Sequence, residues 1–217
     1  MALVCSTLVF DLDGTISDPS LGICRCFNYA LRKQGYAEVP SEAVAALIGP
    51  PLDTSFRALV PSISDAGVAE LVASYRERYA DAGYAENTLY SGIPEVLLQL
   101  QEAGLRLGIC TSKRADFAEQ ILGMFGLSNF FEFVSGGDIG ISKASQLADP
   151  LANGDIDDQA VMVGDRAIDI TSAADNGLRA IGVLWGFGDF TELSEASPAL
   201  ILERIDELAC VIGQSDD

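Results

Sequence analysis

The residues with chemistry to offer stand where apolar runs end. Leu8, Val9 and Phe10 lead straight into Asp11 and Asp13 within "VFDLDGTISD". The run Leu105 to Cys110 ends in Thr111, Ser112 and Lys113, and the run Ala160 to Val163 ends in "GDRAID", which holds Asp165 and Asp169. Side chains two apart on a strand point the same way. Asp11 and Asp13 therefore face one spot, a costly placement for two like charges unless something positive lies between them. Asp165 and Asp169, four apart at a strand-to-helix junction, can converge on the same edge. Lys143 follows a further apolar run, Phe131 to Val134, and is one of only three lysines, with Lys33 and Lys113. Such scarce cations among so many carboxylates point to a site rather than to a solvated surface.

This inventory matches what Mg²⁺-assisted phosphoryl transfer requires. A hard divalent ion takes oxygen ligands and removes the repulsion within an aspartate cluster. One Asp can attack phosphorus and form an aspartyl phosphate. A second can protonate the departing alkoxide and later deprotonate water. A lysine and a hydroxyl hold the non-bridging oxygens while charge shifts. The chain contains no histidine, which excludes Ser-His-Asp and Cys-His catalysis, phosphohistidine chemistry and His-ligated metals.

With 217 residues, 49% of them hydrophobic, the chain can bury one large core, or one core with an inserted lobe. Its net charge of −19 repels nucleic acid and anionic lipid, so neither is expected as a partner. Cys5, Cys24, Cys26, Cys110 and Cys210 are scattered without a CxxC pair, which argues against a disulfide framework or zinc site. No apolar run has membrane-spanning length, and "MALVCSTLVF" lacks the basic region and cleavage site of a signal peptide. The expectation is a cytoplasmic protein, monomer or homodimer, acting on a small phosphorylated metabolite.

The elements that must position these residues follow from the pattern of the chain. Strands are expected at Thr7 to Phe10, Leu105 to Cys110, Phe131 to Val134, Ala160 to Val163 and Ala180 to Leu184. Helices are expected at Pro94 to Ala103, Ala115 to Met124 and Ala167 to Asp175, with Gly104 and the Asn176, Gly177 pair as terminators. Such alternation predicts an α/β fold, a Rossmann-like parallel sheet with helices on both faces. Ligands of such sheets bind beyond the carboxyl ends of the strands, where all of the candidate residues fall. From Ser17 to Asn87 the rhythm breaks into helical patterns such as "CRCFNYALRKQG" and "GVAELVASYRERYADAG". The division expected is a catalytic core of residues 1–16 and 88–217 with a helical cap at 17–87.

Four motifs in order, "DLDGT", "CTSKR", Lys143 within "GISKASQL" and "GDRAID", resemble those of the haloacid dehalogenase superfamily, in its phosphoglycolate phosphatase-like branch. The likeness runs from about Leu8 to Gly213, since "DGTISDPSLGICRCFNYAL" and "YSGIPEVLLQLQEAGLRLGICTSK" are similar to that branch's passage into and out of its cap. The resemblance implies a Mg²⁺-dependent phosphatase with Asp11 as nucleophile and metal ligand. It implies Asp13 as acid and base, offering its backbone carbonyl to the metal, Thr111 as phosphoryl grip, Lys143 as its neutralising cation, and Asp165 and Asp169 completing the metal site. Lys113 is a rival to Lys143 for the phosphate oxygens. Ser112 and Lys113 at the rim, and Arg57 and Arg76 with the "IGPPLDTSF" turn in the cap, are the candidates for substrate contact. Phosphoglycolate, a sugar phosphate and a nucleoside 5′-monophosphate are all open as substrates. A sugar-phosphate mutase and a catalytically idle phosphate sensor are the alternative functions.

Overall fold

The computed structural model describes residues 3–138 and 140–213. A six-stranded parallel sheet is built from β1 (Thr7–Phe10), β2 (Arg106–Thr111), β3 (Phe133–Gly136), β4 (Val161–Gly164), β5 (Arg179–Val183) and β6 (Leu200–Leu202). The spatial order is β3-β2-β1-β4-β5-β6. The chain thus steps outward from β1 on one side, then returns to lay β4 against its other flank. That reversal opens a crevice beyond the carboxyl ends of β1 and β4. Pairing brings Phe10 level with both Ile109 and Val163. The Asp11 N–H extends the ladder by one bond to the Val163 carbonyl at 2.9 Å, so Asp11, Thr111 and Asp165 emerge along one rim.

Alternation along β1 divides the core. Leu8 and Phe10 face one layer with Ile109, Val163 and Ile181, covered by α4 (Ile93–Glu102) and α5 (Ala115–Met124) through Leu97, Leu100, Ile121 and Leu122. Val9 faces the other, with Cys110, Met162 and Ala180, under α6 (Lys143–Asn153), α7 (Ala167–Asp175) and α8 (Phe190–Glu195). Period-two alternation in strands buried on both faces is what a parallel sheet between helical layers requires.

The helices expected at 94–103, 115–124 and 167–175 are present, the first spanning Ile93–Glu102. Besides α8, the short helix Glu207–Val211 and the paired strands Leu3–Val4 and Ile212–Gly213, two elements lie outside the sequence expectation. One is β6, three residues long and half-buried. The other is α6, whose Pro150 sits inside the helix and whose start is capped by Ser142, accepting from the Ser145 N–H at 3.1 Å.

Between β1 and α4 the chain forms a helical lobe from α1 (Ser20–Lys33), α2 (Leu52–Leu59) and α3 (Asp65–Asp81). In α1, Ile23, Cys26, Phe27, Ala30 and Leu31 are buried, the spacing of a single helix face. In α3 the buried hydrophobic set is Val68, Leu71, Val72, Tyr75 and Tyr79. These faces close on Phe56 of α2, which lies 5.0 Å from the Phe27 ring. A two-residue antiparallel ribbon, Ser17–Asp18 against Thr88–Leu89, carries the chain into the lobe and out of it. No described helix is long and apolar enough to cross a membrane.

Candidate active site

Three carboxylates meet behind the rim. Asp11, Asp165 and Asp169 are all buried, and each offers an oxygen within 4.8 Å of the others. Glycines make this approach possible. A Cβ on Gly14, whose φ is +87°, would stand 2.2 Å from Asp165 Oδ2, and one on Gly164 would stand 2.2 Å from the Asp169 carboxyl carbon. Asp165 is held at Oδ1 by the Thr15 hydroxyl at 3.1 Å and at Oδ2 by the Phe187 N–H at 2.8 Å. Asp169 lies in the first turn of α7, where Oδ2 accepts the Arg166 N–H at 2.9 Å. A carboxylate there also benefits from the helix dipole.

Lys143 is only 3% exposed and stands 2.9 Å from Asp11 Oδ1, while also contacting Asp169 Oδ1. Burial alone would lower its basicity, but Asp11 and Asp169 together hold the ammonium above the ordinary lysine value. Burial, then Asp169 and Asp11, raise the Asp165 carboxyl, and burial raises that of Asp169 against the pull of Lys143. One ammonium, shared between Oδ1 of Asp11 and Oδ1 of Asp169, does not balance the charge of three buried carboxylates. An all-oxygen, crowded, under-neutralised donor set fits a hard divalent cation such as Mg²⁺.

Asp13 turns elsewhere. Its carboxylate is not part of the cluster; Oδ2 pairs with Lys113 Nζ at 2.8 Å. Burial pushes the Asp13 carboxyl above the usual aspartate range although Lys113 pulls it down. Lys113 in turn meets the Tyr79 hydroxyl of the lobe at 2.7 Å and lies 4.6 Å from the centre of that ring. Of the two rival lysines, Lys143 stands beside Asp11, and Lys113 is committed to Asp13 and the lobe. Thr111 is fixed by Gln146, which donates to its carbonyl at 2.6 Å, while its hydroxyl accepts the Lys113 N–H at 3.3 Å.

A cleft between rim and lobe is lined by Asp11, Asp13, Thr111, Ser112, Lys113 and Arg76 among the sequence candidates. The turn from Ile48 to Leu52 lines it too. Arg57 does not: it reaches across the lobe surface to exposed Asp65 at 2.6 Å. Its position in α2, one residue beyond buried Ser55 and Phe56, turns it outward. Thr15, Gln146 and Arg166 were not singled out by sequence. Arg166 ties the two parts together, binding Glu192 of α8 at 2.8 Å and the Ile48 carbonyl of the lobe at 2.6 Å. All three lie inside the quoted motifs, Thr15 in "DLDGT", Gln146 in "GISKASQL" and Arg166 in "GDRAID".

The chain as a whole has known relatives. The chain is 36% identical to the tyrosine-protein kinase PtkA of Mycobacterium tuberculosis over 214 residues, covering 95% of this chain and 72% of that protein. The solved structure of PtkA superposes with a TM-score of 0.83 over 97% of this chain and 99% of that one. The chain is also 34% identical to a 5′-nucleotidase of Pseudomonas aeruginosa, over 91% of this chain and 90% of that protein. A phosphoglycolate phosphatase of Pectobacterium atrosepticum is 30% identical, over 96% and 92% respectively. The family model for haloacid dehalogenase-like hydrolases matches residues 8–183, a span that runs from β1 through the aspartate cluster to the end of β5, and the chain belongs to that family.

Proposed function

We propose that this protein is a phosphatase of small phosphomonoesters, with Asp11 as nucleophile and Asp13 as general acid and base. The observation that carries this reading is the separation of the two carboxylates. Asp11 faces Lys143 and the aspartate cluster, whereas Asp13, two residues on, is isolated from that cluster by its own pair with Lys113. Two carboxyl groups whose surroundings differ in this way suit two different roles.

In the first step an Asp11 oxygen bonds to phosphorus as the ester P–O bond breaks, and the leaving oxygen takes the Asp13 proton. The upward shift of Asp13 favours the protonated acid needed at that moment. In the second step Asp13, now ionised, takes a proton from water, which attacks the aspartyl phosphate and frees Asp11. The Thr111 hydroxyl and Lys143 ammonium hold the non-bridging oxygens throughout. Asp11, Asp165 and Asp169 would hold Mg²⁺, which when bound supplies positive charge to the phosphoryl oxygens and relieves the carboxylate crowding. The helical lobe, residues 17–87, acts as a cap over a core of 1–16 and 88–217, and shields the reacting centre from water. The phosphatase and nucleotidase names among the relatives support the same chemistry.

Turnover of p-nitrophenyl phosphate in Mg²⁺ tests the reading, with EDTA abolishing it and added Mg²⁺ restoring it. Undiminished turnover in metal-free buffer would remove the metal from the site. Failure to hydrolyse any phosphomonoester with Mg²⁺ present would favour the phosphate sensor instead.

A further inference from the structure

The face that α6 turns toward the sheet is made of Lys143, Gln146, Leu147 and Pro150, all buried at the spacing of one helical stripe. Leu147 belongs to the core layer of Val9, Cys110 and Met162, and Lys143 has its carboxylates. Gln146, 2% exposed, is the polar group that the chemistry above does not use. Its Oε1 is buried and accepts no hydrogen bond from a described residue. Leaving one end of a buried amide unpartnered is costly, and methionine would fill the same space without that cost. Packing gives no reason for Gln146; its other end does.

At that end Nε2 donates to the Thr111 carbonyl at 2.6 Å. The room for it comes from the turn after β3, where a Cβ on Gly137 would stand 3.0 Å from Gln146 Nε2 and 2.8 Å from the Ser112 carbonyl oxygen. The main chain of Gln146 is held as well. Pro150 has no N–H to offer the carbonyl four residues before it, and that carbonyl accepts instead from the Ser135 hydroxyl of β3 at 2.9 Å. Gln146 therefore joins α6 to both β2 and β3. Lys143 stands one turn earlier on the same face. On the other side of the joint, the Thr111 hydroxyl oxygen accepts the Lys113 N–H at 3.3 Å and keeps its own proton for a phosphoryl oxygen. Gln146 itself does not line the cleft.

Building on the phosphatase reading, we propose that Gln146 is a positioning residue for phosphoryl transfer. It fixes the Thr111 hydroxyl and the Lys143 ammonium, which belong to different elements, at one spacing, so that both meet the phosphoryl oxygens as charge shifts.

The test compares wild type, Gln146→Met and Ser135→Ala on p-nitrophenyl phosphate with Mg²⁺, each with its melting temperature and its inhibition by orthovanadate, a mimic of the five-coordinate phosphoryl group. Gln146→Met should lower kcat by about 10–100-fold, the scale of a misplacement of about 1 Å near the reacting centre, with KM within about threefold. Its vanadate inhibition constant should rise at least about tenfold, because a transition-state mimic reads the same geometry. Loss of folded protein lowers kcat but leaves the vanadate affinity of the remaining enzyme unchanged, so the two measurements separate positioning from stability. Ser135→Ala keeps the Gln146 amide and frees only the helix, and should show the same pattern at about threefold in each quantity. It carries the test should Gln146→Met fail to fold. A fall in kcat with unchanged vanadate inhibition, or both quantities unchanged, would overturn the inference and leave the phosphatase reading standing. Absence of turnover by wild type with p-nitrophenyl phosphate and with every other phosphomonoester would remove the reading beneath it.

Discussion

Lys143 and Arg57 show how differently the sheet rim and the helical lobe treat a cation. Lys143 is withdrawn from solvent between Asp11 and Asp169, while Arg57 reaches across open surface to Asp65, whose side chain is 94% exposed. At the rim, backbone register brings carboxylates together whether or not their charges suit one another. In the lobe, full burial is given to rings such as Phe27, Phe56 and Tyr75, and the arginines Arg57, Arg76 and Arg78 each keep part of their side chain in solvent. A buried charge that loses its partner is strongly destabilising, whereas an exposed pair contributes little. In the proposed mechanism the rim holds its charges in position for reaction, and the lobe shapes what may approach them.

That contrast can be broken most severely at Asp11. Asp11→Asn should lower kcat by about 10⁴-fold or more, as loss of a nucleophile does, and no phosphoryl mass should appear on the acid-quenched protein. Asp13→Asn should lose about 10²–10⁴-fold in steady state in a diagnostic way. Nitrophenolate leaves without a proton, so p-nitrophenyl phosphate should give a burst and then a stalled aspartyl phosphate visible by intact-protein mass spectrometry. Alkyl phosphates should scarcely react at all. Normal turnover by the Asp13 variant, or a phosphoryl group on the Asp11 variant, would reverse the assigned roles.

Next in size is Lys143→Met. Asp11 and Asp169 would then face each other without their shared ammonium, and the urea unfolding free energy should fall by about 3–5 kcal/mol. An unchanged midpoint would mean that the rim carboxylates are neutral in the metal-free protein. Phe56→Ala strikes the lobe alone. The side chain is wholly buried, so its loss should cost about 3 kcal/mol, with turnover of p-nitrophenyl phosphate within tenfold of wild type below the melting range. A larger loss of turnover than of stability would place lobe packing inside the chemical step. Arg57→Ala should be the mildest, with kcat/KM on every substrate within about twofold, and a selective loss on one substrate would return Arg57 to the cleft.

Sequence reading succeeded where one backbone rule governs. Asp11, Thr111 and Asp165 interrupt apolar runs, and strands in register deliver such interruptions to one edge. The helices spanning Ala115–Met124 and Ala167–Asp175 carry clear periodicity and lie where the pattern predicts them. It failed where tertiary partners decide. Leu200–Leu202 is too short to show alternation, and Pro150 hides the helix around it. The Lys113 pairing with Asp13 joins residues far apart in the chain, so no local pattern carries it. Arg57 and Arg76 looked equivalent as charges, and only the faces of α2 and α3 separate them.

The ribbon of Ser17–Asp18 and Thr88–Leu89 bears on how such a molecule can change over generations. Because outgoing and returning strands lie side by side, about 5 Å apart as paired strands must, everything between them is an excursion that begins and ends at one point of the scaffold. Lengthening, shortening or exchanging that excursion leaves the threading of the six strands untouched. Loop closure penalises added length only weakly. Selectivity can therefore be rewritten as a module while Asp11, Asp13, Thr111, Lys143, Asp165 and Asp169, all outside the ribbon, are inherited unchanged.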